Sequence, residues 1–209
     1  MFRFVQCTNP ECGLRFPLDP EVHHGAFCPR CGAHLDQNAE IQGDLDCPSL
    51  EMRPVRQLSG LLDNIRSVYN VGAIFRTADG VGLKHLFLCG LTPTPADNTA
   101  VSKTALGAEL ALPWSQHLNS LTLAVRLREE GYSLIGLECT SKAIPIYRFR
   151  GEPPDDRPMV LIVGNERAGV DPGLLDQCEV VFALPMMGEK ESLNVAVAFG
   201  VAAYWLAYN

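Results

Sequence analysis

Three stretches of this chain each run from an apolar strand or helix straight into a cluster of Asn, Arg, Glu, Ser and Gly: DNIRSVYNVGAIFRTADGVG at 63–82, LIVGNERAGV at 161–170 and LPMMGEKESLNVAVAFGVAAYW at 184–205. Those residue types grip phosphate or a polar ligand and do not fill a core. Segments so far apart serve one site only in a fold that gathers several strand ends. From residue 57 onward, short apolar strands alternate with amphipathic helices, which predicts a largely parallel sheet covered on both faces. In such folds ligands sit at the carboxyl ends of the strands.

The pattern predicts strands at 58–62, 85–90, 133–138, 159–163 and 179–184, and helices at 71–82, 118–131, 171–177 and 192–207. In the second helix Leu118, Leu121, Val125 and Leu127 are read as the apolar stripe, with Arg126, Arg128, Glu129 and Glu130 mostly outside it. Gly131 stops that helix. A phosphate-binding glycine fingerprint is missing: NVGAIFRTADGVG has the wrong spacing, and no GK[ST] loop occurs. Nucleotide hydrolysis and nicotinamide chemistry are therefore set aside.

A chain of 209 residues, 47% hydrophobic, holds one good core and a small appendage. No apolar run reaches the ~20 residues that span a bilayer, so no membrane partner is expected. MFRFVQCTNPEC lacks a signal-peptide h-region, so a cytoplasmic location is expected. In that reducing compartment the eight cysteines read as metal ligands or small buried residues rather than disulfides. The net charge of −7 speaks against coating nucleic acid electrostatically. It leaves room for a local basic site, for which Arg53, Arg56, Arg66 and Arg76, or Arg148 and Arg150 around Phe149, are candidates.

Cysteine spacing divides the chain. Cys7 and Cys12 form a C-x4-C pair, and Cys28 and Cys31 form C-P-R-C-G. Two short Cys turns facing each other supply the four tetrahedral thiolates that zinc prefers, as in zinc ribbons. Gly13 and Gly32, each directly after the second Cys of its pair, suit the tight turn behind the sulfurs. Residues 1–35 have too few apolar side chains to fold without such a staple. Free thiols, or a site using His23, His24 or His34, are the alternatives. Arg3, Arg15 and Arg30 suit contact with RNA, whereas the segment's acidic residues favour a protein-contact or architectural role. Residues 36–56, broken by Gly43, Pro48 and Pro54, read as a linker with Cys47 as a bystander.

In order and content the three polar segments, with SKTALGAELALPW between them, resemble the motifs of the SpoU/TrmH family of RNA methyltransferases, within the SPOUT superfamily. The resemblance spans about residues 57–209. It implies an α/β fold with a trefoil knot, a topology that no hydrophobic pattern foretells, in a domain preceded by the ribbon at 1–35. It implies S-adenosylmethionine as cofactor, held by Gly164, Leu184, Met186 and Leu193, with the strand end at Leu137 as a further candidate.

The same resemblance implies methyl transfer to a ribose 2′-hydroxyl of tRNA or rRNA, with Asn70, Arg76, Glu166, Ser192 and Asn194 as the catalytic set. Arg76 matches the family's catalytic arginine, often described as a base. A guanidinium with a pKa above about 12 stays protonated, so a clamp on phosphate and on the developing alkoxide is the better physical reading. Ser192 and Asn194 are expected to open the last helix, Ser192 as a candidate N-cap. The Val- and Ala-rich last helix, with Phe199, Tyr204, Trp205 and Tyr208, is more apolar than one covered face requires, and the resemblance implies a homodimer through it. A non-catalytic RNA-binding or assembly protein on a methyltransferase scaffold is the rival reading.

Overall fold

The computed structural model describes residues 2–19, 21–22, 25–36, 53–148 and 157–209. His23, His24, Cys47, most of the expected linker, Phe149 and Arg150 lie outside them. The chain divides into two compact units, Met1–Glu51 and Met52–Asn209.

The first unit is an antiparallel sheet of β1 (Arg3–Cys7), β2 (Arg15–Leu18) and β3 (Leu35–Asp36), with β1 in the middle. Among its described residues the buried core is Val5, Cys7, Cys28 and Leu35, with Leu14, Phe16 and Leu18 packed against them. That is too little apolar surface to offset the cost of ordering the segment.

The second unit is built on seven strands: β4 (Leu58–Asp63), β5 (Leu86–Cys89), β6 (Trp114–His117), β7 (Ser133–Leu137), β8 (Ile144–Pro145), β9 (Met159–Val163) and β10 (Val180–Ala183). They lie in the order β6-β5-β4-β9-β7-β10-β8, and every pair is parallel. Strands β4, β7 and β9 are buried on both faces, as continuous apolar runs in parallel sheets are. One face carries α1 (Val68–Val81), α2 (Thr99–Ala105), α3 (Ala108–Ala111) and α6 (Val195–Tyr208), with Phe75 and Phe199 fully buried between them and the sheet. Gly60 lets α6 come close, since a Cβ there would lie 3.2 Å from the Phe199 ring. The other face carries α4 (Ser120–Glu129) and α5 (Pro172–Leu175).

The connection 138–143 positions the site. Leu137 and Ile144 both pair with Phe182, from opposite sides of β10. The connection therefore crosses the carboxyl end of β10, and the chain leaving Ala183 passes this crossing to reach α6. This is the threaded arrangement that the resemblance implies.

All five expected strands form; β6, β8 and the helices α2 and α3 were not among the expected elements. The stripe of α4 is corrected. Leu118 is 89% exposed, and Leu121 and Val125 are also exposed; Ser120, Leu123, Ala124 and Leu127 face the core. Both sets have helical spacing. The phase is chosen by Asn119, which caps the helix by accepting from Thr122 N–H and so leaves Leu118 outside it. Gly131, at φ +90°, ends the helix as expected.

Candidate active site

At the carboxyl ends of β7, β9 and β10 lies a cavity of about 290 Å³. Leu137 ends β7, Gly164 follows β9, and Leu184 follows β10. These three line the cavity together with Met186 and Leu193, so all five residues expected to hold the cofactor meet there. Its size, and a lining that mixes apolar side chains with Glu138, Asn165, Glu166, Arg167, Glu191, Ser192 and Asn194, suit a small molecule with polar groups.

One hydrogen-bonded chain joins the three motifs beside this cavity. Glu166 Oε2 accepts from Arg66 N–H at 3.0 Å, and its Oε1 accepts from Ser67 N–H at 3.0 Å and from Asn70 Nδ2 at 2.9 Å. Asn70 Oδ1 in turn accepts from Asn194 Nδ2 at 3.0 Å. Burial acts to raise the Glu166 pKa, but the N–H groups of Arg66, Glu166 itself and Ser67 and the Asn70 amide outweigh it. The net shift is downward from 4.5. Glu166 is thus an anion that fixes the entrance of α1.

The remaining expected residues fall into different places. Asn194 lines the cavity and caps α6, its Oδ1 accepting from Ala196 N–H at 2.9 Å and Val197 N–H at 3.4 Å. Ser192 lines the cavity but lies outside the helix and caps nothing, which corrects the capping expectation. The cap falls to Asn194 because α6 starts at Val195, three residues later than the sequence pattern predicts. Arg76 does not line the cavity. It stands on the exposed face of α1, its guanidinium unpaired among the described residues.

Several supporting residues escaped the sequence reading. Asn165 Nδ2 donates to Asn64 O at 2.7 Å, and its Oδ1 accepts from Arg167 and Ala168 N–H, both at 3.0 Å. Asn64 takes φ +57°, and its Oδ1 accepts from Leu91 N–H. The buried Asp63 accepts from Ser120 Oγ and Asn64 Nδ2, both at 2.8 Å, and from Asp171 N–H at 3.2 Å. Glu138 accepts from Cys139 and Val170 N–H, both at 2.9 Å. The only sequence signal was that DN and GNE stand at strand ends. At Gly164 a Cβ would strike the backbone of Gly169 and Val170, so the glycine lets the 164–170 turn close on itself beside the cavity it lines.

In the first unit, Cys7, Cys12, Cys28 and Cys31 bring their sulfurs within 4.8 Å of one another. Cys7 and Cys31 Sγ are 3.4 Å apart, Cys12 and Cys28 Sγ 3.8 Å. Tetrahedral zinc with bonds of about 2.3 Å places its sulfurs roughly 3.8 Å apart, so the donor set fits that ion. Gly13 and Gly32 have φ +56° and +75°, the turn geometry expected behind each pair. Burial and the neighbouring thiols push Cys7 up to about 12, while hydrogen bonding to the Ala33 backbone holds Cys31 down at about 7. A dication among them removes the conflict over ionising them together. His34 is not part of this cluster, and no helix among the described residues is long and apolar enough to cross a membrane.

Comparison with known proteins agrees with this geometry. The SpoU rRNA Methylase family profile matches residues 58–204. The 23S rRNA (guanosine(2553)-2′-O)-methyltransferase RlmP of Bacillus subtilis is 34% identical over 146 residues, covering 70% of this chain and 56% of that protein. The 23S rRNA (guanosine-2′-O-)-methyltransferase RlmB of Ralstonia nicotianae is 31% identical over 211 residues, covering 96% of this chain and 79% of its own length. Among solved structures, the AdoMet-bound rRNA methyltransferase from Sinorhizobium meliloti superposes with a TM-score of 0.65 at 26% identity, covering 74% of this chain and 57% of that one. The chain thus spans little more than half the length of several proteins it matches. With the parallel seven-stranded sheet, the crossing over β10 and the three motifs joined at one cavity, the profile match makes this chain a member of the SpoU methylase family, with its trefoil-knotted fold.

Proposed function

We propose that the protein is an S-adenosylmethionine-dependent RNA methyltransferase acting on a ribose 2′-hydroxyl of tRNA or rRNA. The observation that carries this reading is the chain from Glu166 through Asn70 to Asn194, which ties three motifs to one cavity. The names of RlmP and RlmB, both 2′-O-methyltransferases, support it. Leu137, Gly164, Leu184, Met186 and Leu193 hold the cofactor, and Glu138, Glu166 and Glu191, which also line the cavity, suit its cationic character.

When bound, the cofactor supplies a methyl group already activated on a sulfonium. The chain's own task is to orient the hydroxyl and ease loss of its proton. Asn70 and Asn194, locked to each other, fix the loops that receive the ribose. Ser192, free of any cap, is available to the substrate. Arg76 is unpaired and permanently charged, and it clamps the neighbouring phosphate and stabilises the developing alkoxide.

The protein acts in the cytoplasm as a homodimer. A shallow groove between α1 and α6, lined by Asn70, Thr77, Asn194, Val197, Val201 and Tyr204, supports the dimer, since Val197 and Tyr204 are 53% and 50% exposed. The ribbon holds one structural zinc on Cys7, Cys12, Cys28 and Cys31. Incubating the full chain with labelled S-adenosylmethionine and total RNA tests the reading. Label in a 2′-O-methyl nucleotide supports it and identifies the RNA. Cofactor binding without transfer to any RNA overturns it in favour of a binding or assembly protein.

A further inference from the structure

We infer that Arg66 and Arg167 form a two-point clamp for neighbouring phosphates of the RNA strand at the mouth of the cavity, held in register by Glu166. The clamp rests on the RNA-methylating reading above and deepens it. The main chains of both residues are pinned to one short turn. Arg66 N–H donates to Glu166 Oε2 at 3.0 Å, while Arg167, the next residue after Glu166, donates its N–H to Asn165 Oδ1 at 3.0 Å. Asn165 Nδ2 closes the unit by donating to Asn64 O at 2.7 Å, just ahead of Arg66. The two side chains therefore spring from rigid backbone on either side of a single carboxylate.

Both guanidiniums are exposed, and neither has a side-chain partner among the described residues. That contrasts with Arg126 and Arg157, which pair with Glu130 and Glu179. Arg167 lines the cavity, and Arg66 is tied through its N–H to Glu166, which lines it too; in a chain where acids outnumber bases 24 to 17, these two exposed guanidiniums are left open to an anion from outside. Glu166 forms no ion pair with either guanidinium among the described residues. Its lone pairs face the backbone N–H groups of Arg66 and Ser67 and the amide of Asn70. The planar fork of arginine matches phosphate oxygens two at a time, which gives orientation as well as charge. Arg66 and Arg167 act as positioning residues, setting the strand so that its ribose meets the cavity.

Salt dependence tests the clamp. RNA affinity of the full-length protein is measured across salt concentrations for wild type, Arg66→Gln, Arg167→Gln and the double variant, on the RNA identified by labelling. Each single variant is expected to weaken binding roughly tenfold at low salt, and to flatten the slope of log affinity against log salt by about 0.7. The double variant flattens it about twice as much, and Arg→Lys at either position restores the slope. Cofactor affinity stays at the wild-type value. An unchanged slope overturns the clamp, and so does loss of cofactor affinity in Arg167→Gln, which would assign that guanidinium to the cofactor's carboxylate. If wild type neither binds nor methylates RNA, the functional reading itself has failed; if wild type methylates RNA and the variants keep its slope, the clamp alone has failed.

Discussion

Glu166 shows how one side chain can hold a site together. It satisfies two N–H groups that precede the first turn of α1 and holds the amide of Asn70. Because its folded pKa lies below the usual 4.5, its contribution to stability is fully present above the ordinary carboxylate range and lost as pH falls through the folded value. Glu166→Gln should therefore be less stable than wild type at neutral pH, with the gap closing in acid. Denaturant titrations at a series of pH values check this, and a gap that persists in acid would mean a packing defect and not a lost anion. Arg76 makes the opposite case, a charge with nothing to hold inside the chain. Arg76→Ala should keep cofactor affinity within a few fold and slow single-turnover methyl transfer by about a hundredfold or more. Arg76→Lys should also fail, since a point charge does not reproduce a planar fork; near-normal rates in either variant would remove Arg76 from the mechanism. Asn70, Arg76, Glu166 and Asn194 were legible because they stand in motifs. Asn165 and Asp63 were not, since the bonds that tie them across the site, to Asn64 O and from Asp171 N–H, span about a hundred residues and no local pattern encodes them.

At the scale of elements, the strands were readable because a parallel strand buried on both faces is a plain apolar run, as MVLIV at 159–163 is. Helix phase was less readable. Two leucine stripes at equal spacing compete in α4, and a single cap residue decides between them. The short β8 has two residues and no pattern at all; it exists because 138–143 crosses β10. The start of α6 joins packing to function, because Asn194 uses one atom for each task. Its Oδ1 caps the helix while its Nδ2 binds Asn70. Asn194→Ala should cost about 1 kcal/mol, a fall in Tm of about 2–4 °C for a chain of this size, together with most of the activity. Asn194→Asp retains a good cap but turns an acceptor toward Asn70 Oδ1, so it should keep nearly all the stability and still lose methyl transfer. Calorimetry alongside single-turnover assays separates the two. An active Asp variant would show that the Asn194–Asn70 bond is dispensable.

The whole molecule divides its work between two units of different physical character. Met52–Asn209 has two apolar layers on a seven-stranded sheet and every motif of the site, whereas the described residues of Met1–Glu51 bury only Val5 and Leu35 beside Cys7 and Cys28 of the four converging thiols. On the proposed zinc site, metal dependence of folding is expected of Met1–Glu51 and not of Met52–Asn209. Elemental analysis should find about one zinc per chain, and a strong chelator should abolish the folded signals of the first unit while leaving cofactor binding intact. Finding no zinc would remove the ribbon as a folded module. The ribbon's contribution to substrate is a separate matter, decided by charge. A protein of net charge −7 neutralises few phosphates, so its RNA affinity should fall less steeply with salt than that of a strongly basic binder. Such a protein needs contact surface from wherever it is available, and Arg3, Arg15 and Arg30 are all exposed on the first unit. Removing residues 1–50 should accordingly preserve cofactor affinity, because the cavity is lined entirely by residues 137–198, and should weaken RNA binding. A truncated enzyme with full affinity and activity on its RNA would assign the ribbon to protein docking instead, and the RNA contacts would then belong to the methyltransferase unit alone.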